Sequence, residues 1–171
     1  MNIFASSKQL IKNKLEETDN ISFKFIQKIG KKIEQGECII SYPKKIFCKY
    51  DDIYNKVLVS NGKSLVINSR KITNYLRYQL RDTPLDLILD KKFLLDKLDN
   101  IEIIRENDET FSFEILHNNN LLNIFFDKDS YDIKGWTTTD VYLNTVETKL
   151  LDIETNKMID QKLFRVQNYI N

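Results

Sequence analysis

The residues best suited to chemistry are few: two cysteines, Cys38 and Cys48, and a single histidine, His117. A structural zinc site takes four ligands from Cys, His or carboxylate. These three leave it one short and show no paired spacing, so no metal site is expected. A Cys–His nucleophile pair is arithmetically available. However, His117 opens the run His117-Asn118-Asn119-Asn120, which reads as a turn between two apolar runs, and a histidine there is expected to be exposed. No Gly-x-Ser-x-Gly elbow supplies a serine nucleophile. The run Asp127-Lys128-Asp129-Ser130-Tyr131-Asp132 has the acidic rhythm of a calcium loop. Asp132 stands where that loop needs glycine and Thr138 where it needs glutamate, so it reads as a turn. Asp51-Asp52 and Glu16-Glu17 have no second feature that would make either a general acid/base pair. The chain is expected to be no enzyme and to need no cofactor.

The frame that must position any other site is 171 residues long, 20.3 kDa, which is expected to be one domain over residues 1–171. A chain of this mass buries about 70% of its unfolded surface, enough for a core without staples. Its 42% hydrophobic and 30% charged residues exclude a disordered chain. A net charge of +1 argues against nucleic acid as the main partner, because that affinity is largely phosphate neutralisation. No apolar run reaches the roughly 20 residues of a membrane-spanning helix. Met1-Asn2-Ile3-Phe4-Ala5 lacks the basic start and apolar stretch of a secretory leader. Two readings stay open: a cytoplasmic protein with two free thiols, or a mature form whose leader has been removed.

The segment Ser6–Thr18 reads as a short amphipathic helix, with Leu10, Ile11 and Leu15 apolar and Ser6 or Ser7 as cap. Strand signals follow in series. Ile21, Phe23 and Phe25 alternate with polar residues, as do Cys38, Ile40 and Tyr42, then Ile46, Cys48 and Tyr50. Val57 and Val59 precede Asn61-Gly62, a strong hairpin signal, and Leu65 and Ile67 follow it. Ile72–Leu80 is mixed. Thr83-Pro84-Leu85-Asp86 opens a helix, with Thr as cap and Pro at the first position. Leu85, Ile88 and Leu89 have helical spacing, and the apolar residues of Asp90–Asp99 wrap further round the axis. A second strand series runs from Ile101 and Ile103 through Phe111–Ile115, Leu121–Phe126, Tyr131–Thr139 and Val141–Thr148, with Gln161–Val166 as a last short piece.

About ten strands and two helical pieces predict an α+β, mainly β architecture. A large antiparallel sheet has one apolar face that must leave water, and two helices of about ten residues cannot cover it laid flat. The sheet must curl into an incomplete antiparallel barrel, with the helices in or over its concave side. Its lining is then Phe23, Phe25, Cys38, Ile40, Tyr42, Ile46, Cys48, Tyr50, Val57 and Val59. Leu10 from the first helix and Leu85, Ile88 and Leu89 from the lid are expected to close it. Alternation is the same in a filled and an empty barrel, so these side chains either enclose a cavity or simply fill the interior.

Several stretches resemble the LolA family, the periplasmic carriers of lipoproteins to the bacterial outer membrane. Gly36-Glu37-Cys38-Ile39-Ile40-Ser41-Tyr42-Pro43-Lys44-Lys45-Ile46-Phe47-Cys48-Lys49-Tyr50 resembles the family's glycine, strand, Arg-Pro turn and strand ending in an aromatic. Leu58-Val59-Ser60-Asn61-Gly62-Lys63-Ser64-Leu65 is similar to its hairpin, and Thr83-Pro84-Leu85-Asp86-Leu87-Ile88-Leu89 to the helix that opens after Thr-Pro. Phe23-Lys24-Phe25-Ile26-Gln27 resembles the strand after its first helix, and Trp136 and Leu163-Phe164 fit more weakly. The resemblance is strongest over residues 8–90 and thin beyond 100. It implies an incomplete barrel with a helical lid over an apolar cavity. It also implies a periplasmic monomer that carries acylated lipoproteins from an inner-membrane lipoprotein-releasing ABC transporter to an outer-membrane acceptor. A lipid- or protein-sensing regulatory domain of the same fold is the alternative.

One departure concerns the lid. The family carries Arg directly before the turn proline, against the lid helices; here the residue is Tyr42. Tyrosine offers one hydroxyl and no charge, so Tyr42 as latch would be weaker, unless Lys44 or Lys45 substitutes. Cys38 and Cys48 share parity on the two arms of that hairpin and face each other if the turn centres on Pro43. In the periplasm that the resemblance implies, a disulfide is one outcome; two buried thiols packing as small hydrophobes is the other.

Overall fold

The structure, a computed structural model, describes residues 6–101, 105–140 and 142–170. Helix α1 spans Ser7–Glu17, and Ser6 caps it by accepting the Gln9 N–H at 3.2 Å. The face it buries is Ile11 and Leu15, one turn apart. Leu10 is only half-buried, which corrects the expectation that it closes the interior. Two adjacent apolar residues cannot both face inward on a narrow helix, and the four-residue spacing to Leu15 selects Ile11.

The strands are β1 (Asn20–Ile29), β2 (Lys32–Ser41), β3 (Lys45–Tyr50), β4 (Val57–Asn61), β5 (Ser64–Asn68), β6 (Leu76–Gln79), β7 (Arg105–Glu106), β8 (Thr110–His117), β9 (Asn120–Asp127), β10 (Ile133–Thr139) and β11 (Thr145–Thr155). They form one antiparallel sheet in the order β6-β5-β4-β3-β2-β1-β11-β10-β9-β8-β7. Neighbours in sequence pair by hairpins except β6 and β7, and β11 returns to lie beside β1. The sheet does not close, and β6 and β7 are its two edges. This is the incomplete, curled antiparallel barrel that the strand count demands.

Between β6 and β7 come α2 (Leu85–Ile88) and α3 (Lys91–Asn100). Thr83 does not cap α2; its hydroxyl donates to the Leu80 carbonyl at 2.8 Å. Asp90 is the working cap, accepting the Phe93 N–H at the start of α3. Elsewhere the strand expectations shift. The segment Ile72–Leu80 resolves into β6 and a 3-10 turn, Leu80–Asp82. Ile103 and Val141 lie outside the described residues, and β11 starts only at Thr145. Before it, the Asp140 carboxylate accepts the N–H groups of Tyr142 and Asn144 and holds a loop instead. Gln161–Val166 is no strand: two 3-10 turns, Gln161–Phe164 and Val166–Tyr169, cross the outer face of β3, β4 and β5.

One main apolar core lies on the inner face. It takes in Ile21, Ile40, Phe113, Leu122, Ile124 and Phe126 from the sheet and Ile11, Ile88, Leu89, Leu94 and Leu98 from the helices. A second, small cluster lies outside, where Val59 and Val66 pack under Val166 of the C-terminal segment. At Gly36 the strands approach closely. A Cβ there would stand 2.2 Å from the Lys49 carbonyl oxygen and 2.9 Å from the Phe25 ring, so only glycine fits.

Candidate functional site

The inner face is not filled evenly. Over β8 and β9, α3 and α1 occupy it. Toward β1–β5, an apolar cavity of about 250 Å³ remains. Its walls are Phe23, Phe25, Cys38, Ile46, Cys48, Tyr50 and Leu58, with Trp136 from β10. Pro84, Leu85 and Ile88 of the lid roof it. The aromatic walls meet edge to face: Phe23 on Trp136 with centroids 6.4 Å apart, Phe25 on Tyr50 at 5.0 Å.

The mouth is polar. Gln27 donates to the Thr148 hydroxyl at 3.0 Å, and the Lys56 ammonium sits 2.8 Å from the Glu34 carboxylate and 4.1 Å over the Tyr50 ring. Burial alone pushes the Glu34 carboxyl up, but the hydrogen bond from Lys56, with Lys32 behind it, brings its pKa net below the usual value. Burial raises the Tyr50 phenol, so it stays protonated. The arrangement offers apolar depth behind a polar rim, which suits an amphiphile with its chain inside. At about 250 Å³ the cavity falls just short of the roughly 300–1,000 Å³ typical of small-molecule sites, so a larger guest requires the lid to move.

The lid is tied down from several sides. Lys44, in the β2–β3 turn, has its Nζ 2.9 Å from Asp86 of α2 and 3.4 Å from the α3 cap Asp90. Its N–H also donates to the Leu89 carbonyl at 2.9 Å. The hydrogen bond to Asp86 holds the Lys44 ammonium above its ordinary pKa. Lys91 of α3 donates to the Thr18 carbonyl past the end of α1 at 2.7 Å, and Lys8 of α1 to the Ile101 carbonyl past the end of α3 at 2.7 Å. Tyr42, preceding a cis proline, is not the latch. Its hydroxyl is buried with no hydrogen-bond partner among the described residues, and burial pushes its pKa up. What Tyr42 supplies is packing, with Lys91 Nζ 5.5 Å over its ring.

The sequence-predicted site is therefore gathered in part. Phe23, Phe25, Cys38, Ile46, Cys48, Tyr50, Leu85 and Ile88 line the cavity, and Cys38 and Cys48 are joined in a disulfide across β2 and β3. Ile40 and Leu89 are buried in the filled core instead. Val57 and Val59 are on the wrong face. The register sets Cys48 opposite Leu58 and Phe47 opposite Val59, so Leu58 looks inward and the valines outward. Leu58, Ile67, Pro84, Gln27, Glu34, Lys56 and Thr148 line the cavity without having been anticipated. For Leu58 and Ile67 the signal was available, because counting back through the Asn61-Gly62 turn fixes their parity. Larger depressions lie outside the fold. The one of about 670 Å³ on the outer face is lined by Ile39, Phe47 and Ile153 as well as by Lys24, Glu37, Asp152 and Glu154, and no helix among the described residues roofs it.

The site is thus an apolar cavity held in a curled, unclosed sheet under a helical lid. Residues 16–167 match the family described as outer membrane lipoprotein carrier protein LolA, and the chain belongs to that family. No curated protein matches it in sequence. Among solved structures, it is similar to an uncharacterized conserved protein from Thermus thermophilus. That match has 7% identity and a TM-score of 0.55, and covers 94% of each chain. It is also similar to a putative outer membrane lipoprotein-sorting protein domain from Vibrio parahaemolyticus. Here identity is 9% and the TM-score 0.54, with 95% of this chain and 96% of that one covered. At these identities the likeness is one of fold. No helix among the described residues is long and apolar enough to cross a membrane.

Proposed function

We propose that this chain, acting as one carrier domain over residues 1–171, shields the acyl chains of lipoproteins in the periplasm between an inner-membrane transporter and an outer-membrane acceptor. The observation that carries the reading is the apolar cavity under α2, in a chain of the lipoprotein-carrier family. Each methylene that leaves water contributes about 0.8 kcal/mol, so five or six buried methylenes supply on the order of 4–5 kcal/mol. The roof itself is only the four-residue α2, tied to the sheet by Lys44, so loading and release call for lifting one short helix.

The test is displacement of a fluorescent apolar probe by an acylated peptide. The wild-type chain is expected to bind the probe and release it to the acylated peptide but not to the unacylated one. Ile46→Glu places a carboxylate in the cavity wall and is expected to abolish probe binding. Equal binding by that variant, in a chain that still folds by circular dichroism, rejects the cavity as the site.

A further inference from the structure

Strand direction sorts the connections of the sheet into two ends. The β1–β2 and β8–β9 turns and the β3–β4, β5–β6 and β10–β11 loops share the end where Ile29, Glu34, Lys56 and Val146 frame the cavity mouth. Of the ten large apolar side chains exposed among the described residues, eight lie at this end. Ile53 is 82% exposed in the β3–β4 loop beside Tyr54, and Tyr142 and Leu143 are 82% and 84% exposed in the β10–β11 loop. Leu116 and Leu121 pair across the base of the β8–β9 turn. Only Met158 and Tyr78 fall elsewhere. Scattered exposed apolar residues need no explanation, but their concentration round one opening does. Two of these tips are built. Asp52 accepts the N–H groups of Tyr54 and Lys56, and Asp140 accepts those of Tyr142 and Asn144.

The geometry points to a docking surface for a lipid bilayer: the mouth end dips its apolar loop tips into the interfacial layer. The tips stand on separate connections spread from β3 to β11. A protein partner calls for one contiguous, close-packed patch, whereas a bilayer gives each tip apolar depth independently. Tyrosine with leucine or isoleucine is the pairing that an interface between headgroups and acyl chains favours. The exposed cations Lys31, Arg70 and Lys71 stand on turns of the same end, where anionic headgroups would meet them, with Asp51 and Asp52 the exposed acids of the β3–β4 loop. Continuity with the mouth gives the surface its use, since an acyl chain would pass from bilayer to cavity without crossing water. Only this last point rests on the carrier reading.

The test is flotation of the full chain with mixed phosphatidylethanolamine and phosphatidylglycerol vesicles. The wild type is expected to float. Ile53→Asp and Leu143→Asp are each expected to lower the partition coefficient about tenfold and to act together in the double variant. Met158→Asp at the far end changes nothing, and apolar-probe binding is the same in all four. A wild-type chain that stays below the vesicles, or a double variant that floats as the wild type does, overturns the proposal, as does flotation only with vesicles that carry a membrane protein. If the probe binds while vesicles do not, the docking surface fails and the carrier reading stands. If the wild type floats yet binds no apolar probe, the docking surface stands and the carrier reading fails.

Discussion

Lys44 spans from the β2–β3 turn to the lid, its ammonium 2.9 Å from the Asp86 carboxylate. In this chain the charged tie between sheet and lid thus comes from the residue after the turn proline. A partly exposed pair of this kind contributes at most about 1 kcal/mol. Lys44→Met is therefore expected to speed exchange of the Leu89 amide, which closes α2, by up to about fivefold, with the apolar probe entering faster. The raised Lys44 pKa makes this tie fully present below the ordinary lysine value. It is lost as pH rises through the higher folded one, so on the alkaline side the wild-type lid loosens in strongly alkaline solution. Unchanged amide exchange in Lys44→Met removes the latch assignment.

The Tyr42 hydroxyl, buried without a partner among the described residues, leads to the opposite expectation. A desolvated, unsatisfied hydroxyl costs about 1–3 kcal/mol. Tyr42→Phe keeps the ring against Lys91 and removes the cost, so urea unfolding is expected to shift to a higher midpoint. A lower midpoint would show that the hydroxyl does bond.

The Cys38–Cys48 bridge closes a loop of 10 residues in sequence. On the chain-entropy account this is worth about 2–3 kcal/mol. Cys38→Ser with Cys48→Ser is expected to lower stability by about that amount, and a reductant to have no further effect on the variant. Alkylation of both thiols in unreduced wild-type protein would contradict the bond.

Val59 and Ile46 belong to opposite faces of the same strand pair, and their substitutions separate structure from binding. Val59→Ala trims the side chain under Val166, expected to cost about 2 kcal/mol of stability while leaving probe affinity unchanged. A change in probe affinity with Val59→Ala would tie the outer cluster to the cavity.

Much of this was legible along the chain, and the exceptions have physical causes. In β1, β2 and β3 the alternation picks out Phe23, Phe25, Cys38, Ile46 and Cys48, because there the outer positions are polar enough to mark the pleat. In β4 it misleads. Val57, Leu58 and Val59 are apolar in a row, since the outer face is also covered, by a C-terminal segment whose only trace is Leu163-Phe164-Arg165-Val166. A segment of 3-10 turns has neither period two nor period 3.6, so it reads as a strand or as nothing. The filled half of the interior was hidden for another reason. Whether Leu94 and Leu98 plug the sheet or merely lid it depends on how far α3 lies over β8 and β9, which no local pattern records.

The two features that stiffen β2–β5, a covalent bridge between β2 and β3 and the C-terminal turns laid across β3, β4 and β5, sit on the same side of the cavity. Its roof on that side is a helix of four residues. Growth in capacity is thus expected by raising the cover over fixed walls, so that the volume available to a guest is set by how far the short helix can lift.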